Sequence, residues 1–304
     1  MHATLGAFPE PARRGAGRRI GGLAGVIGVR RSTAEAHIAA SFPDRPRTWV
    51  LETLRQCYRH FGAELGMLAG GTPAVRSALD RARAPDAATE LLGELEMSRR
   101  GAVIVTGHLG NWELGAAWIA SSGRAVTTVA RRHGVEWDGR LRVVRRELGI
   151  ETLSHGEHPR RLARALRNGG IVALVADQHA PRGGVRTPFM GRPAWTSLGP
   201  ARLSRAAGVP LFFGAVTRES GEYAVDFRRV DVVEHDDRDA ALTRAWLSAL
   251  ERAIVSRPEQ YLWFHRKWKD RGGMGVRNDA PREWYQRPDD GDEAIIDLHR
   301  NTGS

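Results

Sequence analysis

Cysteine is almost absent from this chain of 304 residues: Cys57 stands alone, so no intramolecular disulfide and no cysteine cluster for zinc can form. Nothing therefore points to an oxidising compartment. Lysine is nearly missing as well, since Lys267 and Lys269 are the only two among 46 basic residues and the rest of the positive charge is guanidinium. Long apolar runs are lacking too; none approaches the roughly 18–20 residues that a helix needs to span a bilayer. The longest candidate near the start, Ile20 to Val29, has ten residues, four of them glycine. Arg13, Arg14, Arg18 and Arg19 precede it and Arg30-Arg31 follow it directly, with no small-residue cleavage site, so it does not read as a signal peptide. It reads either as a short helix on a membrane surface with arginines turned to phosphates, or as a core helix with basic ends.

What is present excludes global disorder. Hydrophobic residues make up 41% of the chain, enough for a sizeable core. Basic residues outnumber acidic ones by 46 to 35, a net charge of +11 that favours anionic partners. Residues 271–304 run against this trend, with five arginines and seven acidic residues, and read as a flexible polar tail. The organisation expected is a basic segment over residues 1–31 carrying the short surface helix, one folded domain over 32–270, and the tail.

Inside the domain, Ser32-Thr33-Ala34-Glu35 has the form of a capping box opening a helix that Pro43 ends, and Pro46 restarts a longer helix through Trp49, Leu54, Tyr58, Phe61 and Leu65. A further helical stretch over 73–96 is broken at Pro85. From Ala102 the pattern alternates. Short β-branched runs at Ala102–Val105, Val126–Val129, Ile150–Leu153, Ile171–Ala176, Leu211–Thr217 and Tyr223–Val230 are interleaved with helical patterns at Trp112–Ala120, Trp137–Leu148, Arg160–Arg167, Leu198–Ala207 and Ala240–Val255. Such alternation predicts an α/β fold, a largely parallel central sheet flanked by helices. Parallel sheets bind ligands at the carboxyl ends of their strands, which directs attention to His108, Arg131 and Asp177.

Gly107-His108-Leu109-Gly110-Asn111-Trp112-Glu113 lies at the first of these strand ends. On one continuous helix, residues five apart point about 140° from each other. His108 and Glu113 can meet only if the histidine sits in the turn and the carboxylate in the first helical turn. A carboxylate beside an imidazole fixes its tautomer and stabilises the cation formed on taking a proton, so the pair reads as a general base. Its competitor is a surface histidine with Glu113 complementing the helix dipole. No nucleophile elbow accompanies the pair, so the simplest chemistry is deprotonation of a substrate hydroxyl, as in a transferase. Asn111 could bind substrate or cap the helix, with capping the stronger reading. Asp177, after an apolar strand, could order the site or hold an arginine by a bidentate pair. His155, Glu157 and His158 lack a third convincing ligand and do not read as a metal site.

The His-x4-Glu segment resembles the His-x4-Asp/Glu motif of the lipid A biosynthesis acyltransferase family. Other blocks follow in that family's order: Arg30-Arg31 to Ser41-Phe42-Pro43-Asp44, Val129-Ala130-Arg131, Val144-Arg145-Arg146-Glu147-Leu148-Gly149, Asp177-Gln178 with Gly183-Gly184-Val185 and Pro188-Phe189-Met190-Gly191, and Pro258 to Lys269. The resemblance spans residues 18 to 270. It implies a glycerol-phosphate-acyltransferase-like fold in which His108 is the base and Glu113 its partner. The family's essential arginine falls on Arg145 or, with a shift of one, Arg146. Arg131 and Gln178 belong to blocks expected to bind substrate.

The last block interleaves Tyr261, Trp263, Phe264 and Trp268 with His265, Arg266, Lys267 and Lys269, a pattern suited to a lipid headgroup interface or to nucleic acid, of which the resemblance favours lipid, while Trp263 and Trp268 read equally as core side chains. His265 and Arg266 are expected to contact substrate. The function implied is transfer of a fatty acyl chain from acyl carrier protein or coenzyme A to a hydroxyl of a glycolipid, a lipid A precursor first, at the cytoplasmic face of the inner membrane. The thioester is a co-substrate, and no metal or redox cofactor is expected. Alternatives are another lipid acceptor, a phosphatidylinositol mannoside or a lysophospholipid, and, from a different class, a basic nucleic-acid-binding protein. In one respect the chain departs from the family, whose members usually begin with a hydrophobic anchoring segment; here only Ile20 to Val29 resembles one, so attachment is expected to be peripheral.

Overall fold

The computed structural model describes residues 8–130, 136–154, 159–232 and 236–268. Among them the strands are β1 (Ala102–Thr106), β2 (Val126–Ala130), β3 (Ile150–Ser154), β4 (Ile171–Val175), β5 (Gly184–Phe189), β6 (Arg192–Ser197), β7 (Leu211–Glu219) and β8 (Glu222–Arg229). Six of these form the central sheet in the order β3-β2-β4-β1-β7-β8. Its first five strands run parallel, and β8 returns antiparallel to β7. The predicted fold class is thus the one observed. The remaining two strands make a separate antiparallel hairpin that the alternation of helix and strand patterns did not reveal.

Helices cover both faces of the sheet. They are α1 (Glu10–Ile27), α2 (Arg31–Ser41), α3 (Arg47–Leu68), α4 (Gly71–Leu79), α5 (Asp86–Ser98), α6 (Trp112–Ala120), α7 (Glu136–Glu147), α8 (Pro159–Arg167), α9 (Gly199–Ala207) and α10 (Arg238–Ser256). The central strand β1 shows why the sheet needs two covers. Its Val103 and Val105 join the core formed with α2, α3, α9 and α10, while Ala102 and Ile104 join the one formed with α4, α5 and α6. Successive side chains of a strand point to opposite faces, so a strand that is apolar at every position must be buried on both.

The amino-terminal helix differs from expectation in length and in packing. It starts at Glu10, behind Pro9, and closes at Gly28 in the left-handed conformation, so it is 18 residues long rather than the short segment expected from Ile20. Its inner face is glycine. A Cβ on Gly17 would stand 2.1 Å from the Gly62 carbonyl oxygen and one on Gly21 2.2 Å from that of Tyr58, so α1 and α3 meet backbone to backbone. Its outer face displays Ile20, Leu23, Val26 and Ile27, the last two 80% and 81% exposed. The helix is therefore packed on one side and exposed and apolar on the other. The capping box expected at Ser32 does not form, because α2 begins one residue earlier behind Arg30 and has no side-chain cap.

On α10, Glu251 accepts a hydrogen bond from the backbone N–H of Met190 at the tip of the β5–β6 hairpin. Burial, opposed by that bond and by Arg252, pushes its carboxyl up to about 7. An unfolded glutamate ionises near 4.5, so between that pH and about 7 the unfolded state loses its proton while the folded state keeps it, and stability falls as pH rises. Glu251→Gln keeps the acceptor oxygen without the charge. At pH 8 thermal melting should therefore show the variant a few degrees above the parent, by roughly 2–4 °C per kcal/mol, with no difference at pH 4.

Candidate active site

Two neighbouring strands deliver the central pair. β1 and β4 are in register with Thr106 opposite Val175, so two residues further along each chain brings His108 beside Asp177 at the carboxyl end of the sheet. Asp177 Oδ1 lies 2.6 Å from His108 Nδ1, and Asp177 Oδ2 accepts the backbone N–H of His108 at 2.9 Å. A carboxylate can only accept, so Nδ1 carries the proton and Nε2 presents its lone pair. That nitrogen faces the side-chain amide of Gln178, which lies 3.3 Å from His108 Nε2 and 3.1 Å from His265 Nε2. The two imidazole rings sit 4.8 Å apart, and Trp112 packs edge-on against His108.

Asp177 is 2% exposed. Burial works to raise its pKa, but the charge of His108, the two bonds from His108 and the nearby Lys267 outweigh it and hold the carboxyl well below the usual carboxylate range. Tyr261 adds a hydrogen bond to Asp177; its phenol is pushed up by its own burial first, and then by the Asp177 charge and that bond. Lys267 is as buried as Asp177, its Nζ donating to the Trp195 carbonyl at 3.2 Å and to Thr196 Oγ1 at 2.9 Å on the β5–β6 hairpin. Burial lowers its pKa to about 8, against the opposing pull of Asp177.

The second carboxylate has a different partner. Glu113, in the first turn of α6, takes both forks of the Arg145 guanidinium, with Arg145 Nε donating to Oε2 at 2.8 Å and Nη2 to Oε1 at 2.5 Å. Both side chains are largely buried. The expected pairing is corrected here: Asp177 rather than Glu113 orients His108, and Glu113 rather than Asp177 holds the arginine. The sequence placed each residue at a strand end or helix start but not which strands were neighbours. Arg145 is the arginine brought to the site. Arg146, one residue on, is exposed and outside it.

Asn111 does not face substrate. Its Oδ1 caps α6 through the Leu114 N–H at 2.9 Å, its Nδ2 donates to Glu64 at 2.7 Å, and the side chain is buried. Glu64 in turn accepts from Arg14 of α1 and from the Tyr223 hydroxyl, both at 2.7 Å, so a buried polar network ties α1 and α3 to the turn that bears His108. Gly110 in that turn adopts φ +59, and a Cβ there would meet the Val216 carbonyl oxygen at 2.0 Å. Sequence reasoning missed Glu64 because an acidic residue on a helix normally reads as solvent-facing.

These side chains open on a cavity of about 1270 Å³ whose lining includes His108, Glu113, Arg145, Gln178, His265 and Arg266. Apolar groups from the sheet and α6, among them Ile104, Trp118, Ile119, Val216 and Phe227, line the same space. A histidine beside a cavity with apolar as well as charged walls suits a substrate that is itself part hydrocarbon. The cysteine is elsewhere: Cys57 is buried, donates to the Tyr261 carbonyl at 3.2 Å, and has its thiol pKa pushed up by burial, which makes it a poor nucleophile. Arg131 and the His155, Glu157, His158 group lie outside the described residues. In the last block Tyr261, Trp263 and Lys267 are core residues, so it is no open stacking face for nucleic acid.

A family model described as bacterial lipid A biosynthesis acyltransferase matches residues 1–270. Curated relatives include a phosphatidylinositol mannoside acyltransferase of Mycobacterium tuberculosis, 30% identical over 174 residues that cover 55% of this chain and 54% of that protein. The protein of the same name from Mycolicibacterium smegmatis is 36% identical over 118 residues, 37% of this chain and 39% of its own. A lipid A biosynthesis lauroyltransferase of Escherichia coli is 28% identical over 198 residues, 60% of this chain and 62% of its own. The chain thus spans about half the length of the curated relatives it matches.

The two carboxylates should be separable by experiment. Glu113→Gln leaves the buried Arg145 with only the weaker pull of Asp138 as a counter-charge, which should lower stability by up to about 3 kcal/mol in thermal or denaturant unfolding. Asp177→Asn keeps the shape but lets the amide favour the wrong imidazole tautomer. Its main effect should appear at His108, as a changed Nδ1 and Nε2 shift pattern in imidazole nitrogen NMR.

Proposed function

The chain belongs to the bacterial lipid A biosynthesis acyltransferase family, and on that premise we propose that it moves a fatty acyl chain from an acyl thioester to a hydroxyl of a glycolipid. The observation that carries this reading is His108 at the cavity wall with Nδ1 fixed by Asp177, so that Nε2 is the acceptor nitrogen beside Gln178, in a cavity lined by both polar and apolar groups. The acceptor hydroxyl gives its proton to His108 Nε2 as its oxygen attacks the thioester carbon. The tetrahedral intermediate then expels the thiolate, breaking the C–S bond, and the imidazolium returns the proton to sulfur. Arg145, fixed by Glu113, supplies positive charge beside the developing oxyanion, where a preorganised cation is worth most. Gln178 and His265 position the acceptor against the base. The donor is acyl carrier protein or coenzyme A, with an acidic carrier suited to the arginine-rich surface.

The acceptor is an anionic glycolipid. A lipid A precursor is one such molecule and phosphatidylinositol mannoside another; the greater identity to the two mycobacterial acyltransferases favours the second. Seating is peripheral, at the inner membrane's cytoplasmic face. Among the described residues no helix is long and apolar enough to cross a membrane, while the outer face of α1 offers Ile20, Leu23, Val26 and Ile27 between Arg18-Arg19 and Arg30-Arg31.

Incubating the protein with acyl thioester donors and, in separate reactions, a tetra-acylated lipid A precursor and a phosphatidylinositol mannoside should add one acyl mass to one acceptor by mass spectrometry. His108→Ala should lower the rate by about 10³-fold or more, and Asp177→Asn by about 10²–10⁴-fold. Failure of both acceptors, with the thioester untouched, would refute the reading. In co-sedimentation with phosphatidylglycerol vesicles, Val26→Ser with Ile27→Ser should weaken binding by about tenfold, since each buried CH₂ contributes ~0.8 kcal/mol; unchanged binding would remove α1 from the interface.

A further inference from the structure

Among the described residues four arginines line the cavity, Arg30, Arg142, Arg145 and Arg266; Arg142 is half-buried and donates to the Thr152 carbonyl at 3.4 Å. Arg145 is matched by Glu113. Arg30 and Arg266 also line the cavity and are exposed, so they stand at its open edge. Among the described residues neither has a carboxylate partner; Arg30 makes one long bond, 3.4 Å, to the Phe264 carbonyl, and Arg266 makes none.

Their placement is built. Arg30 adopts φ +53, a left-handed conformation that glycine or asparagine takes more readily, yet a long cation occupies it. The corner is held on two further sides: the Tyr58 hydroxyl donates to the Val29 carbonyl at 2.5 Å, and the Tyr58 ring packs 4.7 Å from that of Phe264. The α1–α2 corner and the segment bearing Arg266 are thus clasped to each other. Arg30 reaches the Phe264 carbonyl, two residues before Arg266, so both cations belong to one clasped unit at the cavity edge, and the planar fork of a guanidinium matches the oxygens of a phosphate. The exposed side chains of Val26, Ile27 and Val29 immediately precede Arg30, so the apolar strip of α1 leads to this edge of the cavity.

We propose that Arg30 and Arg266 form a phosphate-ester subsite at the cavity mouth that recognises the headgroup of the lipid acceptor. Thioester donors carry phosphate too, on the pantetheine arm, but the continuity of the subsite with the apolar strip assigns it to the molecule that arrives from the lipid side. That assignment rests on the acyl-transfer reading; the pair of unmatched arginines does not.

The test is the double variant Arg30→Gln, Arg266→Gln, with each single variant beside it, in titrations with three probes: dihexanoyl phosphatidylinositol, dihexanoylglycerol and coenzyme A. Because both arginines are exposed and neither has a carboxylate partner among the described residues, melting temperatures should stay close to the parent's. The Kd for dihexanoyl phosphatidylinositol should rise about tenfold or more in the double variant. Those for dihexanoylglycerol and coenzyme A should not move. Equal affinity of parent and variant for the phosphatidylinositol, or no measurable binding by the parent, overturns the proposal. A loss confined to coenzyme A overturns it in favour of a donor site, and displacement of the phosphatidylinositol by inorganic phosphate alone, at equal concentration, marks a free-phosphate site instead. Consumption of acyl-coenzyme A, measured in parallel for parent and His108→Ala, separates the two ideas: if it persists in the parent while the arginines prove idle, only the subsite falls. If it is absent in the parent while the arginines still hold the phospholipid, only the acyl-transfer reading falls.

Discussion

A single buried carboxylate, Asp177, sets the terms for the rest of the site. An ionised carboxylate removed from water is costly unless opposite charge and hydrogen bonds surround it. Here the compensation comes from the His108 backbone N–H, the His108 ring, the Tyr261 hydroxyl and the charge of Lys267. Those groups come from two parts of the chain, the β1–α6 turn that bears His108 and the segment after α10 that bears Tyr261 and Lys267, and the β5–β6 hairpin anchors Lys267. The turn, the hairpin and the carboxyl-terminal segment therefore meet at one charge, and the imidazole at its centre has one tautomer and one orientation.

Glu113 and Arg145 divide the labour differently. Their ion pair joins α6 to α7, whereas Asp177 is paired with the His108 imidazole. The two carboxylates, Glu113 in the cavity wall and Asp177 buried behind His108, thus answer separate charges. Behind them, Glu64 carries the amino-terminal helix into the same arrangement: Arg14, Tyr223 and Asn111 converge on it, and Asn111 caps the helix on which Glu113 stands.

The fold was legible because apolar runs in parallel sheets are bounded by glycine and alternate with helical patterns, and each predicted strand has its counterpart in the structure. The hairpin was not, because Gly184–Phe189 and Arg192–Ser197 carry proline, arginine and glycine and lack an alternating apolar pattern. At the site, His108, Glu113, Arg145 and Asp177 were readable as residues, from their positions after strands and from the ordered blocks that resemble the family. The pairing among them was not, since it depends on β4 lying between β1 and β2 in space although it follows both in sequence. Asn111 was open between two roles in the sequence, and only its burial beside Glu64 decided for the cap. Lys267 read as one cation in an aromatic interface; its burial became visible only with the hairpin folded over it.

The contact between α1 and α3 has a consequence for variation. Where helices interlock through side chains, a larger residue on one can be answered by a smaller one on the other, and many solutions fill the same volume. Where backbone touches backbone there is no side chain to exchange, so Gly17, Gly21 and Gly62 admit no compensating partner. The outward face of the same helix is held by no such close contact among the described residues. One helix therefore holds two records: an inner one fixed by geometry, and an outer one that can follow whatever surface the protein meets.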